Sequence, residues 1–257
     1  MSSGLSQSSS GSERSPQLWK GIIFGILIVC LVAFCLAPVM WQWLTSVKVN
    51  ADIETTPNIY FPSRYTLSHY AELFSRRPFW AYLGNSALVS VLSTLLCLGV
   101  GTPAAYAIAR LRLPGKSILL GLLLIVSLFP YILLFLGLLE IVSAFGVGNN
   151  YLALIVPYTA INLPLTILVM RSFFQQLPQD LEDAAKVDGY NTQQILTKIL
   201  LPLTLPALVT TGILTFIFAW NEFLFALTFM TQETLKTVPV ATAQLSGASQ
   251  FETPYGP

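Results

Sequence analysis

The chain has 257 residues, 54% of them apolar and 10% charged, with a mean hydropathy of +0.68. Thirteen Lys and Arg against twelve Asp and Glu leave a net charge of +1. That excludes a nucleic-acid binder working through a basic surplus, and the apolar content excludes a disordered polyelectrolyte. Soluble domains are about 25% charged, and polar surface this scarce cannot cover so many apolar residues around one core. The class is integral membrane protein.

In chain order, residues 1–17 are rich in Ser and Gly and read as a disordered tail. The apolar run 21–44 is too long for the h-region of a cleaved signal peptide and lacks a small-x-small cleavage site, so it reads as a retained anchor. Five segments meet the roughly 20 apolar residues needed to cross a hydrocarbon core: about 19–47, 80–109, 117–144, 151–170 and 199–230. Their long, continuously apolar character excludes a barrel and predicts an all-α membrane protein. Pro103, Pro130, Pro157, Pro164 and Pro206 fall inside these spans, where neighbouring helices can satisfy the freed carbonyls. Cys30, Cys35 and Cys97 lie in apolar runs with no disulfide or metal spacing and read as packing residues.

Basic residues set the orientation. With the tail inside, the inner segments hold Arg14, Lys20, Arg110, Arg112, Lys116, Arg171, Lys186 and Lys198, eight against five outside. The turn 110–116, with three bases and no acid, is the strongest local signal. A cytoplasmic N-terminus and an external stretch 50–79 follow.

Catalysis finds little support. Gly115-Lys116-Ser117 has the end of a phosphate-binding loop, but the glycine that loop requires is replaced by Arg110. His69, the only histidine, sits in the external stretch without an evident nucleophile or acid beside it. Neither catalytic residues, nor a metal site, nor a cofactor is expected.

Composition changes abruptly in the inner loop 171–198. Pro178 can open a helix, Asp180, Glu182 and Asp183 suit its positive end, and Gly189 can stop it in the left-handed conformation. A second short helix, about 192–200, leads into Pro202. On physics alone this is a helix-turn-helix along the inner face, equally readable as an amphipathic connector.

Asp183-Ala184-Ala185, three residues, Gly189, nine residues, Ile199, one residue, Leu201-Pro202 resembles the EAA loop of binding-protein-dependent ABC importer permeases, with Asp183 where that pattern has Glu. The segment 215–227 with Trp220-Asn221-Glu222, the segment 168–178 before the loop, and Gly84-Asn85-Ser86 are similar to the carbohydrate-uptake, maltose-permease-like branch. The resemblance covers about residues 18–257. It implies a type I ABC importer permease fold in a bacterial-type inner membrane, multi-pass, of which this chain holds five spans and lacks a sixth beyond Tyr255-Gly256-Pro257. It also implies a second permease subunit, two cytoplasmic ABC ATPase subunits that hydrolyse the ATP, and an extracytoplasmic solute-binding protein.

In that reading Glu182 and Asp183 anchor the loop in a groove of the ATPase, and Ala184 and Ala185 form the close-contact face. Asp188 flanks Gly189, which aims the second helix, with Ile199, Leu201 and Pro202, toward the fifth span. Trp220, Asn221 and Glu222 are candidates for a sugar-facing patch near the outer end of that span, with Asn162 a weaker one. An interfacial Trp and a bundle-bonded Glu would account for the same residues. Two other classes stay open: an ion-coupled secondary carrier, which would need mid-span ionisable residues and repeated halves, and a membrane scaffold that does not transport.

Overall fold

The computed structural model describes residues 15–54 and 60–245. The tail expected through residue 17 lies outside them up to residue 14, as does the region of Tyr255-Gly256-Pro257. The chain divides into two compact units at Arg76/Arg77, inside the 18–257 stretch read as one domain.

In the first unit, α1 (Ser15–Ser46) is apolar on every side, and its apolar stretch is exposed throughout. A helix apolar all round belongs in lipid or against other membrane helices. It is followed by α2 (Asn50–Glu54) and α3 (Ser68–Arg76). Local bonds organise this segment. Asp52 accepts from the Ser63 N–H and hydroxyl at 2.7 Å, and His69 Nε2 donates to the Lys48 carbonyl at 2.9 Å. The histidine is a structural tie.

The second unit is built on α4 (Phe79–Arg110), followed by α5 (Lys116–Leu128), a 3-10 turn Tyr131–Leu133, α6 (Leu134–Ala144) and α7 (Leu152–Gln176). Next come α8 (Asp180–Val187), α9 (Thr192–Gln194), a π-helical stretch Ile195–Leu200, α10 (Leu201–Leu203) and α11 (Leu205–Asn221). The described chain ends with α12 (Leu224–Phe229), a 3-10 turn Glu233–Leu235 and α13 (Val238–Leu245).

Burial on α4 reverses the soluble pattern. Ser86, Ser90, Ser93, Cys97 and Gly101, spaced three or four apart, face α7 and α11, while Leu92, Leu95, Leu96 and Val100 point outward. Lipid is as apolar as leucine, so close backbone approach through small residues drives such packing. A Cβ on Gly101 would stand 2.7 Å from Thr166 Cγ2, and one on Gly212 would stand 3.1 Å from Leu98 Cδ1. Two apolar clusters lie toward opposite ends of this trio. One holds Val89, Leu154, Tyr158, Phe225, Phe229 and Val240; the other holds Tyr106, Met170, Phe174, Ala185, Ile195 and Leu200.

Spans one, two and four match single helices: Trp19–Ser46, Phe79–Arg110 and Leu152–Gln176. The other two are broken. The third bends by 81° after Leu128, where Pro130 cannot continue the ladder of hydrogen bonds. The fifth bends by 81° at Thr204, between Pro202 and Pro206, and breaks again at Glu222-Phe223. Among the described residues three helices are long and apolar enough to cross a membrane, or up to five if each bent pair counts once. Helix α13, with Val240 fully buried, follows the last of the five expected spans.

Candidate functional site

Between α7 and α11 the expected helix and its stop at Gly189 are present for local reasons, but α7 runs on to Gln176 and the second helix turns π-helical after Gln194. Asp180, Glu182 and Asp183 stand in the first turn of α8 and Lys186 in its last, complementing the helix dipole. Gly189 has φ +83°. Around it the Tyr190 N–H donates to the Ala185 carbonyl and the Gly189 N–H to the Lys186 carbonyl, both at 3.0 Å, a complete Schellman stop. The next helix starts on a capping box, in which Asn191 Oδ1 accepts from the Gln194 N–H and Gln194 Oε1 from the Asn191 N–H, each 2.9 Å.

The two faces of α8 differ from the sequence grouping. Adjacent helix residues are turned about 100° apart, so Glu182 and Ala185 face the bundle while Asp183 and Ala184 face out. Glu182 is 5% exposed; its Oε1 lies 3.0 Å from Arg110 Nε, and its Oε2 accepts from the Tyr106 hydroxyl at 3.3 Å. Arg110 also donates through Nη2 to the carbonyls of Phe174 (2.6 Å) and Leu177 (2.5 Å). Outside, Lys186 donates to Asp183 at 2.8 Å, a bond that holds the ammonium above its ordinary pKa. Val187 is 88% exposed, beside exposed Ala184 and Asp188. Further on, Ile199 and Leu201 are half-buried and Pro202 is exposed.

The proposed cargo residues do not converge. Trp220 stacks on Phe216 with centroids 5.6 Å apart, and with Asn221 lines a shallow cavity of about 180 Å³. The Asn221 amide donates to the Ile217 carbonyl at 2.8 Å. Glu222 turns the other way and is 7% exposed. It accepts from the Tyr158 hydroxyl at 2.5 Å and from the N–H groups of Phe225 (3.0 Å) and Ala226 (3.2 Å), so it caps α12. With the bend at Thr204, the axis leading to it is the 17 residues of α11, ~26 Å. Asn162 donates to the Tyr158 carbonyl and lines a separate cavity of about 600 Å³ with Ser127, Tyr131, Pro157 and Phe218.

A further polar cluster escaped residue-by-residue reading. Asn85 donates to the carbonyls of Thr234 (2.8 Å) and Lys236 (2.9 Å) and accepts from the Tyr151 hydroxyl. Ser86 Oγ accepts from the Val238 N–H at 2.8 Å, at the start of α13. Asn149 Oδ1 accepts from the N–H groups of Thr231 and Gln232. Glu233 binds Lys236, the Tyr82 hydroxyl and Arg77, and the first two bonds hold its carboxyl below its ordinary pKa. The only sequence signal was Gly84-Asn85-Ser86.

The family model for binding-protein-dependent transport system inner membrane components matches residues 99–251, which include the loop, both cavities and Glu222. The chain belongs to that family. This permease is 41% identical over 219 residues to the sulfoquinovosyl glycerol transport system permease protein SmoH of Agrobacterium fabrum, covering 85% of this chain and 77% of that one. It is 39% identical over 237 residues to the trehalose transport system permease protein SugB of Mycobacterium tuberculosis, covering 92% and 86%. Its fold is shared with a solved bacterial ABC transporter involved in import of the acidic polysaccharide alginate. There the TM-score is 0.74 at 24% identity, over 91% of this chain and 81% of that one. The permease is thus an all-α, multi-pass membrane protein of the ABC importer type.

Proposed function

We propose that this permease carries a sugar or sugar-like polyol inward in an ATP-driven, binding-protein-dependent importer, and that the loop 171–198 is its coupling element. The observation that carries the coupling role is the independently capped α8, which presents Val187, Ala184, Asp183 and Asp188 outward while Glu182 and Ala185 root it in the bundle. An apolar, small-residue crest with flanking acids suits a groove on a partner protein. Named sugar transporters among the relatives support the cargo class.

In this mechanism a second permease pairs with the chain, two ATPase subunits bind on the cytoplasmic side with the N-terminus, and a solute-binding protein docks opposite. ATP-driven closure of the ATPase pair displaces α8. A short helix stopped by a Schellman turn moves as a body, and the 81° bend at Thr204 lets that displacement enter α11 as a two-state change. The cavity of about 600 Å³ has room for a small glycan, with Asn162, Ser127 and Tyr131 as its polar groups. Trp220 and Asn221 offer an aromatic face and an amide at the second surface.

The test is co-purification of the permease with an ATPase subunit, and reconstitution with the binding protein. ATP hydrolysis should rise with loaded binding protein, and labelled sugar should accumulate. A carrier driven by an ion gradient would instead accumulate cargo without the ATPase, and a scaffold would accumulate none.

A further inference from the structure

From the geometry around Arg110 we infer that Arg110 and Glu182, with Tyr106, form the pin that carries motion of the coupling loop into α4. The inference rests on the coupling role proposed above and adds the positioning residues through which it acts.

Glu182 stands on the inward face of α8 and is nearly as buried as the core around it. Its carboxylate meets two groups on α4, Arg110 Nε at 3.0 Å and the Tyr106 hydroxyl at 3.3 Å, one helical turn apart. The Nε–Oε1 approach is an ion pair out of hydrogen-bond alignment, so its attraction survives small rotations of α8. Arg110 in turn grips the last turn of α7 through the Phe174 and Leu177 carbonyls. One guanidinium therefore joins the ends of α4 and α7 to α8. A guanidinium can do this because its Nη2 and Nε lie apart on one rigid plane, so that one nitrogen serves the carbonyls while another faces the carboxylate.

Other joints between α8 and the bundle are weaker. Ala185 packs into the apolar cluster but offers one methyl. Asp183 pairs with Lys186 on its own helix and so ties α8 to nothing else. A pull on α8 away from the bundle is thus resisted chiefly by Glu182, and separating a buried charge from its partner costs more than sliding an apolar contact. Motion is therefore passed on to α4 and α7, which pack through glycine and small residues as one body.

The experiment uses the reconstituted transporter carrying Glu182→Gln, Glu182→Asp or Arg110→Lys in this permease. Sugar uptake and binding-protein-stimulated ATP hydrolysis are measured on the same vesicles, with the amount of ATPase retained on purification. Glu182→Gln keeps the shape and removes the charge. It should lower sugar transported per ATP about tenfold with ATPase retained. Arg110→Lys should give an intermediate loss, and Glu182→Asp should recover part of it. A merely structural role would lower uptake and hydrolysis together and leave their ratio unchanged, which would overturn the inference; so would a wild-type ratio in both Glu182→Gln and Arg110→Lys. If Glu182→Gln does not assemble, the ratio in Arg110→Lys decides alone. Should the unaltered permease fail to retain an ATPase, the coupling proposal itself falls, and that outcome is read before any variant is made.

Discussion

Replacing Gly189 separates the backbone geometry of the loop proposed to couple the ATPase from its chemistry. At φ +83° any side chain meets the left-handed penalty, but a Cβ here has no atom within 4 Å. Crowding therefore contributes nothing, and the cost for alanine is the backbone cost alone, about 1–2 kcal/mol. Valine adds a branched Cβ in a region where it is a genuine outlier. Relief is available locally: unwinding residues 188–190 sacrifices two bonds of the Schellman turn, about 1 kcal/mol each. Relief and strain are similar in size, so the strained loop re-aims α8 relative to α9 and leaves the bundle intact. Asparagine tolerates the left-handed region and should preserve the turn.

The assay is sugar uptake and stimulated ATP hydrolysis of the reconstituted complex for Gly189→Asn, Gly189→Ala and Gly189→Val, with melting of the detergent-solubilised protein alongside. Uptake should fall in that order, within about twofold for asparagine and beyond tenfold for valine, while the apparent Tm stays within about 3 °C. Wild-type uptake and stimulation in Gly189→Val would refute the reasoning. Equal damage from asparagine and valine would show that φ is not what matters.

Four further substitutions probe the bundle. Gly101→Ala places a Cβ 2.7 Å from Thr166 Cγ2, and a β-branched helical residue has little freedom to swing away; a loss of about 1–3 kcal/mol is expected as a lower Tm, whereas Gly84→Ala, in open space, should gain about 0.5–1 kcal/mol. Glu222→Gln should cost about 1–3 kcal/mol by weakening the cap on α12 without moving the apparent KM for sugar, and a changed KM at unchanged Tm would overturn the capping assignment. Glu233 titrates below the ordinary carboxylate value of 4.5. Its contribution is therefore complete above that value and disappears as pH falls through the depressed one. It is half-exposed, so solvent screening keeps that contribution small. A melting series taken from neutral to acid should accordingly fall less steeply in Glu233→Gln than in the wild type; parallel curves would dissociate Glu233 from acid sensitivity.

Where apolar length alone decides, sequence and structure agree: the predicted span 80–109 is α4, Phe79–Arg110. Gly189 was also readable, because a glycine closing an acidic helical run has a single local use. The break at Glu222 was not, since apolar residues continue through it and the capping depends on Tyr158 from α7. Pro130 and Thr204 mark bends that a hydropathy window averages away. The partner of Glu182 was invisible for another reason: Arg110 looks like one more inner base until the fold brings α4 against α8. Helix α13 followed a polar stretch whose hydrogen bonds come from Asn85, Ser86 and Asn149, side chains distant in sequence.

Asn85, Ser86 and Arg110 share one element. The N-terminal turns of α4 carry Tyr82, Asn85 and Ser86, which hold the turn before α13, and its last turns carry Tyr106 and Arg110, which hold α8. At ~1.5 Å per residue its 32 residues span ~48 Å, more than the ~30 Å hydrocarbon core. Between the two ends α4 lies against α7 and α11 with Gly101 and Gly212 at closest approach, so it has little room to flex. Under the coupling proposal, a displacement of α8 at one end reappears at the other as a displacement of the Asn85 clasp. Asn85→Ala, which frees two carbonyls of that turn, should therefore weaken the response of ATP hydrolysis to loaded binding protein while leaving hydrolysis without it unchanged. An unaltered response would mean that α4 does not link the two faces.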